Sequence, residues 1–435
     1  MSSSARKPSP PVATGFDPLP EEAYAAALAS VPGIGPRTLR ALLADRTPRG
    51  AWEALVTGSV RLAVFRQAAP ALGQARRLDV EAIWRAHLDA GVGVRMLGRP
   101  GYPAVLAADP EAPAVLFSLG DPRVLDRAAR VAIVGTRSAT RYGLGVAAQL
   151  GADLAAAGVV VLSGLALGID GAAHEGAVAA WRASSEERAV ATNASSQASG
   201  AVSHAGRRAA PPVGVVAGSV AVPYPRQHAG LWRRVAQAGA VLSEAPLGVA
   251  DLAWRFPMRN RIIAALSDVV VVVECHTRGG SLHTVQAATA RGVPVGAVPG
   301  SVRSPASAGT NALLADGCFV VRDASDVLVA VGLRLAGVAQ RGMAAGVPAE
   351  EPVGVAQAVV AGVPQAGAPA EEPAIGDDAL PSPTREVVAA VGWDRTSLDE
   401  VLERTGLEMD AVCGALERLR ARGIVHGEGG WWERE

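Results

Sequence analysis

The stretch Val131-Ala132-Ile133-Val134-Gly135-Thr136-Arg137 decides the fold. Four apolar residues run without interruption into a glycine turn, and Tyr142-Gly143 opens a helical pattern just beyond. An apolar run of that length, stopped by glycine, reads as a strand buried on both faces. Working outward, similar Val-rich runs recur at 159–162, 213–216, 240–242, 269–273, 295–298 and 319–321. Amphipathic segments at 143–157, 230–238, 259–266, 281–291 and 310–316 lie between most of them. Strands alternating with helices predict an α/β fold, a parallel sheet covered on both faces.

The flanks read differently. Residues 1–20 are Ser- and Pro-rich and are expected to be a disordered tail. Residues 21–91 have helical periodicity without strand signals. They include Val31-Pro32-Gly33-Ile34-Gly35-Pro36-Arg37, which is either the glycine hairpin of a helix-hairpin-helix (SAM-like) module or an ordinary turn between helices. In such a module the turn amides contact a DNA phosphate without reading sequence. The α/β block spans 92–338, and its rhythm breaks at 181–212, read as a surface loop insertion. Residues 339–382, rich in Pro, Ala, Gly and Glu, read as a solvated linker. Residues 383–435 carry helices at 384–391, 397–404 and 408–422 and then a hairpin-like GIVHGEGGWWE, the outline of a winged helix. Its third helix, with Arg418, Arg420 and Arg422 beside Glu417, suits either a major groove or a protein partner.

Composition narrows the function. The 435 residues are 49% apolar but only 4% aromatic, and 41 basic residues balance 41 acidic ones. A chain with no net charge attracts no polyanion as a whole, so any nucleic-acid contact must rest on local clusters. Only Lys7 of the basic residues is lysine, so arginine carries the cationic work. Cys275, Cys318 and Cys413 are far apart, which predicts no disulfide framework and a reducing compartment. Prolines follow Arg6 and Lys7 where a signal peptide would have an apolar core. The uncharged run 154–169 is too short to span a membrane. A cytoplasmic protein is expected.

Several segments can carry chemistry. Phe256-Pro257-Met258-Arg259-Asn260-Arg261-Ile262-Ile263 puts a ring and two guanidiniums at a helix start, where unpaired N–H groups favour anions. That grip suits a nucleotide strand; the alternative is a helix end with solvated arginines. Ser163-Gly164-Leu165-Ala166-Leu167-Gly168-Ile169-Asp170 can fold into an anion-binding nest of backbone amides. Asp170 and His174 share a helical face, as an acid/base pair or as a cap with its neighbour. Cys275, His276 and His283 match no standard zinc spacing. No GxGxxG follows the first strand, so no nicotinamide or flavin cofactor, and no cofactor of any kind, is expected.

Taken in order, these residues resemble the DNA-processing protein A (DprA/Smf) family across roughly 101–321. The similarity runs through GYPAVL, PAVLFSLGD, VAIVGTR, YG, SGLALGIDGAAH, Tyr224-Pro225, LSE, FPMRNRIIAALS, VVVVE, GGSLHT, AVPG and SAGTNALLADG. The resemblance implies an extended Rossmann-like core and a non-enzymatic protein that binds single-stranded DNA, dimerises and helps load the RecA recombinase. It also implies that Arg137, within Gly135-Thr136-Arg137, grips phosphate. Gly164 and Gly168 would form the backbone nest and Phe256 would contact a base, with Arg259 and Asn260 shaping the pocket floor. Leu167 stands where the family commonly has arginine, and Ala253 where it often has a basic residue; Arg255 is expected to compensate. The competing reading is a nucleotide enzyme like the phosphoribohydrolases, but Val285-Gln286-Ala287-Ala288 supplies no acid where those enzymes place their catalytic glutamate.

Overall fold

The computed structural model describes residues 19–60, 69–126, 128–195, 208–249, 255–344, 382–391, 396–421, 425–428 and 431–434. Residues 1–18, 196–207 and 345–381, which hold most of the expected tail and linker and part of the expected insertion, lie outside it, as does Ala253. The chain divides into two compact units, Met1–Arg334 and Leu335–Glu435.

The first unit opens with five helices: α1 (Glu21–Ser30), α2 (Pro36–Leu43), α3 (Pro48–Thr57), α4 (Ala69–Ala75) and α5 (Val80–Asp89). Their starts follow local rules. Pro36 and Pro48 occupy first turns, and the Thr47 and Asp79 side chains accept amide hydrogens of α3 and α5. Ala26, Leu28, Leu42 and Leu55 from these helices share one apolar core with Val94 and Phe117 of the sheet and with Trp232 of the helix that covers it.

The sheet follows, with β1 (Gly93–Met96), the short α6 (Ala104–Ala107), β2 (Val115–Gly120), β3 (Arg130–Val134), α7 (Arg141–Ala156), β4 (Val160–Ser163), α8 (Ile169–Ser195), β5 (Val213–Val216), α9 (Ala229–Ala238) and β6 (Ala240–Ser243). It is completed by α10 (Arg255–Leu266), β7 (Val269–Val272), α11 (Leu282–Ala290), β8 (Val295–Ala297), α12 (Ala308–Ala315), β9 (Phe319–Val320) and α13 (Ala324–Ala344). The strand order is β1-β2-β6-β5-β4-β3-β7-β8-β9. The seven strands from β6 to β9 are parallel and fully apolar runs form most of them, as expected for strands covered on both faces.

Three expectations are corrected. The sheet is mixed, not wholly parallel: β1 and β2 add to its β6 edge in antiparallel pairing, with Phe117 opposite Ser243. Residues 181–195, expected in a loop, continue α8 as helix, because Ala, Glu and Arg favour helix even where no apolar period marks it. Helix α13 runs to Ala344, into the segment read as linker.

The second unit contains α14 (Ser382–Ala390), β10 (Thr396–Ser397), α15 (Leu398–Thr405), α16 (Met409–Ala421), β11 (Val425–Glu428) and β12 (Trp431–Arg434). Val387, Val401, Leu416 and Leu419 form its core, and the three strands pair in the order β10-β12-β11. All three cysteines are free thiols, Cys275 among them buried. No helix among the described residues is long and apolar enough to cross a membrane.

Candidate nucleic-acid interface

The carboxyl ends of the parallel strands gather the sequence-marked loops along one edge. There the loops after β3, β4 and β5 and the start of α10 enclose a cleft of about 410 Å³, including the part open to solvent. Arg137, Gly164, Val216 and Phe256 line it together with Ala166, Leu167, Ala217, Tyr224 and Pro225. The Arg137 guanidinium carbon sits 4.8 Å from the centre of the Phe256 ring, within cation–π range. Tyr224 faces the same ring at 6.0 Å between centroids and a 49° tilt. Two aromatic faces and one exposed guanidinium thus converge on one opening.

The floor is built from below by buried charge. Arg259 is buried, and its Nη1 donates to the Val215 carbonyl oxygen at 2.7 Å. A Cβ on Gly164 would collide with that guanidinium, so only glycine lets β4 pass over it. The Gly164 N–H donates to Oδ2 of Asp170 at 3.0 Å. Burial pushes the Asp170 carboxyl above the usual carboxylate range, while Arg259, the Gly164 N–H and Arg137 pull it down. His174, wholly buried, bonds the Val213 carbonyl through Nε2 at 3.2 Å, and burial lowers its pKa to about 4. Asp170 and His174 therefore brace the floor of the cleft and do not reach into it.

The candidate residues separate on this geometry. Arg137, Gly164 and Phe256 meet in the cleft. Gly135 instead packs against Ile169 and the Glu274 carbonyl, where a Cβ would have no room. Thr136 is buried, its N–H given to the Glu274 carbonyl at 2.8 Å. Gly168 has φ +75° and lies against the Thr136 and Arg137 carbonyls, so it closes the nest from behind. The Gly164 amide of the expected nest is thus held by Asp170.

Helix α10 is likewise more structural than its sequence suggests. Arg259, expected to shape the pocket floor, and Arg261, the second guanidinium of that helix start, both turn inward. Arg261 donates to both oxygens of Glu244, at 2.8 and 2.6 Å, and to the Glu111 carbonyl. Burial pushes Glu244 up and the Arg261 charge opposes it. Half-buried Arg255 also acts electrostatically on Glu244. Asn260 donates to the Gly280 carbonyl at 3.3 Å and ties α10 to the glycine turn before α11, outside the cleft lining. What the sequence reading missed is the ring of Tyr224, legible only as part of a Tyr-Pro pair; Leu167, marked in the sequence, stands exposed on the rim. Among the described residues no group of three or more His, Cys, Asp or Glu side chains is placed to hold a metal ion.

Fold and cleft together define a class: a mixed α/β protein with an arginine and two aromatic rings gathered at the carboxyl edge of a mostly parallel sheet. The chain belongs to the DNA recombination-mediator protein A family, which matches over residues 94–197 and 198–332. A DprA-type relative from Mycobacterium tuberculosis is 36% identical over 322 residues, 74% of this chain and 68% of the relative. The DNA processing protein DprA of Bacillus subtilis is 34% identical over 242 residues, 56% of this chain and 72% of that protein. The structure of DNA processing protein A from Streptococcus pneumoniae has a TM-score of 0.54 at 25% identity, covering 72% of this chain and 98% of that one.

Proposed function

We propose that this protein is a single-stranded DNA-binding recombination mediator, with the cleft between Arg137 and Phe256 as its DNA-binding pocket. The observation that carries the reading is the convergence of Arg137, Phe256 and Tyr224 on one opening. A base stacks on an aromatic face whatever its identity, and a guanidinium pairs with the adjoining phosphate, so binding is sequence-tolerant. On this reading Arg137 leaves the Phe256 ring for a phosphate and a base takes its place. Gly164 and Gly168 keep the turn close enough for the strand to approach, and Arg259, Asn260, Gly135 and Thr136 hold its supports.

The same reading makes the protein a cytoplasmic homodimer that delivers its strand to a RecA-type recombinase and has no enzymatic activity. None of the residues lining the cleft is an acid, which favours binding over hydrolysis of a nucleotide. Release of free base from a nucleoside monophosphate would overturn that choice. We assign residues 21–91 to a helix-hairpin-helix module and the second unit to a winged helix. The helix–strand–helix–helix–hairpin order of the latter supports the assignment. Arg418 on its third helix is turned to Thr384 Oγ1 at 3.4 Å, which favours a protein contact there over a DNA groove.

Fluorescence anisotropy against labelled single-stranded and duplex oligonucleotides over a salt series tests the assignment. The single strand is expected to win, with affinity falling as salt rises. Phe256→Ala should weaken binding about tenfold, within the range for one lost stacking contact. Arg137→Ala should also weaken it and flatten the salt dependence by about one counterion. Parent-like binding by both variants would remove the pocket from the DNA path.

A further inference from the structure

Three sequence motifs have no part in the cleft: Tyr142-Gly143, Ala297-Val298-Pro299-Gly300 and the Asn311 segment of α12. In the structure they meet. The Tyr142 hydroxyl donates to the Pro299 carbonyl at 2.9 Å. The Pro299-Gly300 turn is itself clamped, because the Asn311 side chain accepts from the Gly300 N–H and donates to the Gly300 carbonyl, both at 3.2 Å. From the other side, Thr140 caps α7 and gives its N–H and hydroxyl to Glu274, at 2.9 and 2.6 Å. Tyr142 is thus held at both ends, and yet 51% of it is exposed.

That exposure is informative. Among the described residues the large aromatic side chains this open are Tyr142 and Tyr224, and both lie on the carboxyl edge of the sheet. Aromatics are only 4% of the chain, and burial of such a ring is worth roughly 2–3 kcal/mol, so a ring fixed in the open needs a reason. Arg141 precedes Tyr142, and Arg303 lies three residues beyond the clamped turn. Both are exposed, and neither forms an ion pair among the described residues. Glu274, the nearby acid, is buried and accepts from Thr140, so the surface around the ring presents the two arginines and not this carboxylate. Arg137 and Arg141 are four residues apart, hence at most ~14 Å along the chain, within reach of one strand a few nucleotides long.

We infer that Tyr142, with Arg141 and Arg303, is a second stacking station for single-stranded DNA, continuing the strand beyond the Phe256 pocket along the sheet edge. The inference rests on the pocket reading for its ligand class. A strand long enough to leave the pocket lays a base on the Tyr142 ring while its phosphates meet the two guanidiniums. A strand confined to the pocket never touches it.

Oligonucleotide length separates the two sites. With the full chain, anisotropy is measured on single strands of about 2 nucleotides, too short to leave the pocket, and about 16 nucleotides, for the parent, Tyr142→Ala, Tyr142→Phe and Phe256→Ala. Tyr142→Ala is expected to weaken the long strand about tenfold and leave the short one unchanged, while Tyr142→Phe, which keeps the ring, stays near the parent. Unchanged affinity of Tyr142→Ala for the long strand overturns the station. So does an equal loss on both lengths, which would mean that the ring only supports the fold; a thermal melt checks this independently. Loss with Tyr142→Ala but none with Phe256→Ala would sink the pocket and keep the station.

Discussion

Asp170 and His174 lie one helical turn apart under the cleft, and burial moves their protonation in opposite directions. His174 titrates at about 4 in the fold against 6.5 when exposed, with His228 and Arg259 adding to the burial effect. Between those values the unfolded chain holds a proton that the folded chain does not, so this group makes stability fall as pH drops from 6.5 toward 4. By pH 5 the loss amounts to about 2 kcal/mol. Asp170, raised by burial, works in the opposite sense, so the comparison must be between variants. His174→Gln, whose amide can still reach the Val213 carbonyl, should lose less stability between pH 7.5 and pH 5 than the parent. Thermal melts at the two values decide it; equal losses would mean another group governs the acid limb. Leu167 offers a second test at this scale. It stands exposed on the cleft rim, so Leu167→Arg adds a cation without disturbing the core. Affinity for a single strand should rise several-fold at low salt and the salt slope steepen by about one. An unchanged slope would place the DNA elsewhere.

At the scale of elements, α7 and α8 pack at backbone contact. A Cβ on Gly151 would strike the Ala173 carbonyl, and one on Gly176 the Ala148 carbonyl, so these helices meet backbone to backbone. Buried Ala147, Ala155, Ala173 and Ala177 complete the seam. Alanine is ordinarily the better helix former, by up to about 1 kcal/mol. Here the obstacle is a carbonyl that cannot swing aside, so the clash wins. Gly176→Ala is expected to cost about 1–3 kcal/mol, as overpacking does, and chemical denaturation would show it as a lower midpoint at unchanged slope. This matters for the site because Gly168 and Asp170 enter the cleft floor from the start of α8. The sequence carried half of this account. The helical segment 143–157 was legible, but which of its small residues faced α8 was not, since glycine and alanine alone do not mark a buried face.

For the whole molecule, the division into two compact units predicts that the cleft is self-sufficient. A chain ending after Ala344 should keep its affinity for a single strand within about threefold and melt cooperatively. A tenfold loss in anisotropy would give the second unit a share of the site. The order of strands from 131 to 321, most of the helices between them, the buried valine runs and the residues at the strand ends were determined by the sequence alone, because fully buried strands must be apolar and turns at their ends must be small. Tertiary structure decided the rest. β1 and β2 escaped notice because Gly93–Met96 holds an arginine and only its pairing with β2 makes it a strand. Arg259 and Arg261 look like Arg137 in sequence, and a guanidinium's role depends on what lies opposite it. Arg259 faces the Val215 carbonyl, Arg261 faces Glu244, and Arg137 faces an aromatic ring and water. Those partners lie 17 residues away for Arg261 and 44 for Arg259, and for Arg137 on the helix across the cleft, and a local pattern carries no record of contacts that distant in the chain.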